Sequence, residues 1–214
     1  MNQVVIFDLD GLLARTEELH SEAWRATFRN IGIDVSEDEY ADHWIRQGKG
    51  HLGYLTEKNH QVDPAPLIMQ KSQRFTKLVD ERLEPMPGAL RLLAELQRHH
   101  VKLGLASASR RASVELILTR LGMASYFERV VAFEDAPRQK PYPDPFLLVA
   151  SYFNVNPNEC VVLEDAEKGV LAAFNAGMKC IAIPNHLTSH NDFSKATLVV
   201  SSLEELTWER IRDL

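Results

Sequence analysis

Six short stretches of the chain are almost continuously apolar and lack the polar alternation of a half-buried strand. They are VVIF at 4–7, VKLGLAS at 101–107, RVVAFED at 129–135, CVVLED at 160–165, KCIAIP at 179–184 and TLVVSS at 197–202. Runs of this length, rich in Val, Ile, Leu and Ala, predict parallel strands covered on both faces. Between them apolar residues recur at helical spacing over 89–99, 114–121, 145–153 and 169–176. Gly177 follows the last of these, where a helix C-terminus favours glycine. Strand alternating with helix predicts an α/β fold, a Rossmann-like doubly wound parallel sheet.

Residues 15–84 break that rhythm: no strand is predicted, and helical periodicity covers 19–28, 38–44 and 67–79. Ser36 with Glu39 three residues on has the pattern of a capping box. EPMPG at 84–88 reads as the turn that returns the chain to the sheet. The expected division is a core domain of residues 1–14 and 85–214, with an all-helical domain of residues 15–84 inserted after the first strand.

At 214 residues the chain accommodates one core and a substantial insertion. Its 45% hydrophobic and 25% charged residues are those of an ordinary soluble protein. A net charge of −6 argues against a nucleic-acid partner. No apolar run reaches the roughly 18 residues of a membrane span, and Asp8 and Asp10 interrupt the only early apolar run that a signal peptide could use. The expectation is a cytoplasmic monomer without membrane partners. Cys160 and Cys180 each begin an apolar run and read as small buried hydrophobes.

The chemistry starts at FDLD. Asp8 and Asp10 end the first run two residues apart, so both side chains leave a strand on the same side. Like charges that close raise one another's pKa unless something neutralises them. Glu164 and Asp165 end the fourth run in the same way. A single acidic pair after a strand is as readily a loop or helix-cap feature. Two pairs at the carboxyl edge of one sheet, where open α/β sheets bind ligands, suit a hard cation held by oxygen, Mg²⁺. Asp8, Asp10, Glu164 and Asp165 are the candidate ligands.

Four motifs in order carry a family resemblance: FDLDGLL, LGLASAS, QKPYPDPF and LEDAEKGVLAAFNAGM. The chain resembles the haloacid dehalogenase superfamily of Asp-dependent phosphotransferases over essentially its whole length. The likeness is to the branch around β-phosphoglucomutase and the small sugar-phosphate phosphatases. The resemblance implies that Asp8 is the nucleophile and Asp10 the general acid and base. It implies that Ser107, with Ala108 and Ser109 behind it, and Lys140 hold the transferring phosphoryl group. Asp165, supported by Glu164, would hold Mg²⁺ beside Asp8 and the backbone carbonyl of Asp10. The helical insertion would be a cap that closes over the site and excludes water.

Thr16 and His20 lie on the first cap helix toward the substrate or hinge, and Trp24 reads as bundle core. IRQGKGHLGYL at 45–55 reads as a specificity loop, with Lys49 offered to a second anionic group. Lys71, Arg74 and Arg110 are further candidates for that role. Asp144 reads as the cap of the helix after it, His186 and His190 as loop residues, and His99 and His100 as an exposed helix end.

The expected function is Mg²⁺-dependent hydrolysis of a small phosphorylated metabolite, a sugar or polyol phosphate. Asp10 favours phosphate esters over the dehalogenating and carbon–phosphorus-cleaving relatives, which lack an acid there. A β-phosphoglucomutase-like mutase and a non-catalytic binding module are the alternatives. Two departures from the pattern stand out: Arg15 replaces a common aspartate, and GKG replaces the glycine–arginine pattern of the mutase. The second favours simple hydrolysis.

Overall fold

A six-stranded, wholly parallel sheet in the order β3–β2–β1–β4–β5–β6 organises the protein. The structure is a computed structural model and describes residues 4–214. The strands are β1 (Val4–Phe7), β2 (Lys102–Ala106), β3 (Arg129–Val131), β4 (Cys160–Glu164), β5 (Lys179–Ala182) and β6 (Leu198–Val199). Helices α1 (Glu17–Arg29), α2 (Glu37–Tyr40), α3 (Gly50–Glu57) and α4 (Pro64–Arg82) lie between β1 and β2. They are followed by α5 (Ala89–Arg98), α6 (Arg111–Arg120), α7 (Asp144–Phe153), α8 (Glu167–Asn175) and α9 (Trp208–Arg212).

The period of two in β1 sets the layers. Val5 and Phe7 pack with Leu92, Leu93, Leu96, Val114 and Ile117 from α5 and α6. Val4 and Ile6 pack on the opposite face with Phe146, Val149, Val170 and Ala173 from α7 and α8. Both faces are therefore covered, which is why the strands read as unbroken apolar runs. Cys160 and Cys180 are buried free thiols in this core, as expected. Strand order reverses at the β1–β4 junction, and the crevice outside its carboxyl ends is where such sheets bind ligands.

β3 and β6 are shorter than their apolar runs suggest. The Asp135 carboxylate accepts the Ala132 backbone N–H at 2.7 Å and turns the chain out of the sheet. β6 is an edge strand, and Val199 is half exposed. Gly177 has φ of 71° just past α8, where the left-handed conformation ends the helix. Asp144 does not cap α7. It lies inside the helix behind Pro143, and its carboxylate takes both Arg138 guanidinium contacts at 3.0 Å.

The insertion carries its own apolar cluster, in which Trp24, Phe28, Tyr40, Ile45, Tyr54 and Leu67 are buried together. Ser36 and Glu39 form the capping box of α2. The segment 45–55 is not a loop. A π-helical turn, Ala41–Arg46, leads into α3. Tyr54 packs on Phe28 at 5.6 Å and Trp44 at 5.2 Å between ring centroids, so tertiary packing overrides the poor helix propensity of its glycines. The chain enters and leaves the insertion side by side. Ala14 bridges Pro85, Arg15 donates its N–H to the Glu84 carbonyl, and Met86 donates to Leu13, the last two both at 2.9 Å.

Candidate active site

Asp8 follows β1, and its N–H donates to the Leu163 carbonyl at 3.0 Å, so the β1–β4 ladder itself aims it into the crevice. Lys140 Nζ reaches the Asp8 carboxylate at 2.5 Å, the Glu164 carboxylate at 2.6 Å and the Ala106 carbonyl at 2.9 Å. Burial opposes the charge on Lys140, but these two carboxylates outweigh it and hold its pKa well above the usual lysine value. Burial pushes Asp8 up to about 8, and the Glu164 and Asp10 carboxylates add to that effect while Lys140 opposes it. Asp165 is also raised well above the carboxylate range, by burial and then by Glu164 and Asp8.

Glu164 uses both oxygens inside the protein: one takes Lys140, and the other takes the N–H groups of Asp165 at 2.9 Å and Ala166 at 3.0 Å. It fixes the turn and the lysine. Asp165 is oriented by Asn185, whose side-chain N–H donates to it at 2.7 Å and to the Gly11 carbonyl at 3.3 Å. Two glycines make room for these carboxylates. A Cβ on Gly11, where φ is 81°, would lie 2.4 Å from Asp165 Oδ2, and one on Gly169 would lie 1.8 Å from Glu164 Oε1. Gly169→Ala is therefore expected to displace Glu164 from Lys140 and lower kcat/KM by about a hundredfold, the scale of an ångström-sized misplacement. Steady-state kinetics beside a thermal melt would separate that loss from simple unfolding.

The donor set fits a divalent cation. Oxygens of Asp8, Glu164 and Asp165 all lie within 4.8 Å of one another, and all three residues are buried. Three carboxyls face one ammonium, so ionising all three would leave an excess of two negative charges for a cation to cancel. Asp10 is not part of this cluster through its carboxylate, contrary to the simplest reading of FDLD. That carboxylate accepts from Thr16 Oγ1 at 2.6 Å, Ser109 Oγ at 2.7 Å and Ser107 Oγ at 3.1 Å, and lies 3.3 Å from His20 Nε2. Burial alone would raise its pKa. The contacts from His20, Thr16 and Ser109 outweigh burial and hold it well below the usual range. Its backbone carbonyl is the only oxygen of Asp10 left for a cation.

The expected phosphate-facing residues thus divide. Thr16 is fully buried and holds Asp10. Ser107 and Ser109 do the same, and Ala108, Ser109 and Arg110 border the crevice. His20 bridges Asp10 to Lys71 Nζ, 2.5 Å from its Nδ1, and burial followed by the Lys71 charge lowers its pKa to about 4. Lys49 borders the same cavity, but its ammonium pairs with Glu57. Arg74 is exposed and does not border it. His186, His190, His99 and His100 are all exposed. Trp24 is both bundle core and cavity wall.

Three residues of the site escaped sequence reasoning as site members. Glu17 lines the cavity, and burial, then Asp10, pushes it up to about 7. Lys168 donates to the Trp44 carbonyl at 3.1 Å and so ties α8 to the insertion. Asn185 follows β5, and the strand-end rule that found the carboxylates would have found this amide too.

A buried lysine among carboxylates, with a second aspartate held apart on hydroxyl donors, lies at the switch point where α/β enzymes bind their ligands. The sequence model of the haloacid dehalogenase-like hydrolases matches residues 5–183. The chain belongs to that family. It is 30% identical to validoxylamine A 7'-phosphate phosphatase of Streptomyces hygroscopicus subsp. limoneus, over 99% of both chains. It is also 30% identical to β-phosphoglucomutase of Bacillus subtilis (strain 168), over 99% of this chain and 94% of that one. The crystal structure of CbbY from Rhodobacter sphaeroides in complex with phosphate superposes with a TM-score of 0.86 at 30% identity, covering 96% of each chain.

Proposed function

We propose that the protein hydrolyses a small sugar or polyol monophosphate through an aspartyl-phosphate on Asp8. The observation that carries this reading is the separation of the two aspartates. Asp8 lies against Lys140 and the carboxylate cluster, while Asp10 is held by a different set of donors two residues away. That arrangement suits a nucleophile and a proton carrier acting on opposite sides of one bond.

In the first step a carboxylate oxygen of Asp8 attacks phosphorus, and the bond from phosphorus to the ester oxygen breaks. Lys140 spreads positive charge over the transferring group. Asp10 gives its proton to the departing oxygen. In the second step Asp10 takes a proton from water as that water attacks phosphorus, which releases phosphate and regenerates Asp8. Ser107 and Ser109 connect the two stages. When their hydroxyls turn to phosphoryl oxygens, Asp10 loses two of the contacts that hold it ionised, and it becomes a better proton donor. Asp8, Asp165 and the Asp10 carbonyl, with Glu164 in support, would hold Mg²⁺. Bound there, Mg²⁺ would cancel the excess charge and polarise the phosphoryl oxygens. Residues 15–84 would act as the cap, hinged at the paired linkers that meet in the Ala14–Pro85 bridge.

Arg110, at the cavity with no ion pair among the described residues, favours a second reading as a mutase, since it could receive another phosphate. Phosphorus NMR of the protein with Mg²⁺ and a pool of sugar phosphates, primed with a trace of sugar bisphosphate, separates the two. Free phosphate growing at the expense of one ester supports hydrolysis. A new ester without free phosphate overturns it in favour of the mutase.

The carboxyl pKa values also set an expected pH dependence for the metal-free protein. Asp8 and Glu17, pushed up to about 8 and about 7, and Asp165, raised well above its ordinary value, keep protons in the folded state that the unfolded chain has lost. The native state then binds more protons, so stability falls as pH rises. His20, lowered to about 4, opposes this only up to its ordinary value of 6.5, and Lys71, lowered to about 8, opposes it only above that pH. The melting temperature in EDTA is expected to fall between about pH 6.5 and 8, and millimolar Mg²⁺ to abolish the fall. A flat calorimetric profile in EDTA would contradict the charge assignment.

A further inference from the structure

The cavity between the strand ends and the insertion holds about 410 Å³ and has two chemically distinct parts. Its floor is ionic, with Asp8, Asp10, Lys140 and Asp165. The wall supplied by the insertion is aromatic, with Trp24, Tyr40, Trp44, His51 and Phe75. Five buried side-chain polar atoms in the described residues have no hydrogen-bond partner, and three of them belong to residues lining this cavity: Trp44 Nε1, His51 Nε2 and Gln139 Oε1. Buried polar groups are normally satisfied, so their concentration at one cavity points to a ligand that completes them.

The character of the three atoms limits that ligand. Trp44 Nε1 can only donate. Gln139 Oε1 can only accept, and the amide orientation is fixed because its nitrogen donates to the Phe133 carbonyl at 2.8 Å and the Ala136 carbonyl at 3.3 Å. His51 is held by stacking on Trp24, with centroids 4.7 Å apart and planes 19° apart. Burial, then the charges of Arg110 and Lys71, lowers its pKa, so its ring is neutral with one donor and one acceptor nitrogen. Hydroxyl groups donate and accept, and they match such a mixed set. A phosphate oxygen only accepts, and would be set against Gln139 Oε1. Two cations of the lining are already committed: Lys71 to His20, and Lys49 to Glu57.

We propose that Trp44, His51 and Gln139 form the subsite for the uncharged, hydroxylated end of the substrate. This rests on the monophosphate-ester reading above and makes these three side chains its specificity determinants.

The test is equilibrium binding by calorimetry in Asp8→Asn protein with Mg²⁺, so that turnover does not intervene. The probes are inorganic phosphate, sorbitol 6-phosphate, glucose 6-phosphate, fructose 6-phosphate and fructose 1,6-bisphosphate. At least one monophosphate is expected to bind about tenfold or more tighter than inorganic phosphate. His51→Leu and Gln139→Leu are each expected to remove most of that gain and to leave inorganic phosphate within about twofold, while His51→Gln, which keeps a donor and an acceptor, retains most of it. Thermal melts of each variant identify any that fail to fold, and the His51→Gln comparison then decides alone. Three results would overturn the proposal: no sugar phosphate exceeding inorganic phosphate, equal losses for inorganic phosphate, or fructose 1,6-bisphosphate exceeding fructose 6-phosphate by about tenfold. Binding as expected without hydrolysis by the wild type would sink the phosphatase reading and leave the subsite standing.

Discussion

Asp8→Asn is expected to lower turnover by roughly 10⁴-fold or more while the protein remains folded. The amide has the shape of the carboxylate, and its oxygen can still accept from Lys140, which lies 2.5 Å from Asp8 Oδ1. It supplies no nucleophile. Burial, and then the Glu164 and Asp10 carboxylates, push the pKa of the native carboxyl up to about 8, so a neutral group removes both the desolvation cost and the repulsion. The melting temperature in EDTA at pH 8 should therefore equal or exceed that of the wild type. Steady-state kinetics with saturating Mg²⁺ and calorimetry check both halves. Residual activity above about 1% would remove Asp8 from the chemistry.

Lys140→Met is expected to cost both activity and stability. The side chain is 1% exposed, and its ammonium satisfies two carboxylates and a backbone carbonyl. Removing one partner of a buried ion pair leaves the others uncompensated, at about 3–5 kcal/mol. For a chain of this length that is a drop of roughly 6–20 °C in melting temperature. Mg²⁺ should restore part of the stability, because a cation still neutralises Asp8 and Asp165. It should restore none of the turnover, because nothing replaces the charge on the phosphoryl group. Full recovery of kcat with Mg²⁺ would show that Lys140 serves only to hold the carboxylates. An unchanged melt in EDTA would contradict the ion-pair geometry.

The sheet was legible because parallel strands buried on both faces must be apolar throughout, and five connecting segments carry clean helical or turn patterns. The acidic floor was legible for a related reason: charged residues have no place at the ends of such runs unless they do something. Less legible was the side on which each group acts. FDLD places Asp8 and Asp10 on one side of a strand, yet Thr16, Ser107 and Ser109 take Asp10 away from the carboxylate cluster. Those hydroxyls come from two segments about ninety residues apart, and no local pattern reports such a meeting. Lys49 was misleading for a similar reason. Two flanking glycines suggested a mobile loop with a free cation, whereas α3 brings Glu57 against it. His51 gave no signal at all, since its significance lies in a nitrogen without a partner.

The paired linkers around Ala14 and Pro85 have a consequence for how such a protein can change. Because the chain departs and returns through hydrogen-bonded neighbours, the seventy residues between them are spliced in at a single point. A segment with adjacent ends imposes little loop-closure entropy on the sheet, whatever its length. The β1–β4 crevice can therefore keep its carboxylates and its lysine while the whole helical segment is exchanged for another. A chimera made at these two positions would keep the acidic floor of one parent, with Gln139 beside it, and take the aromatic wall of the other.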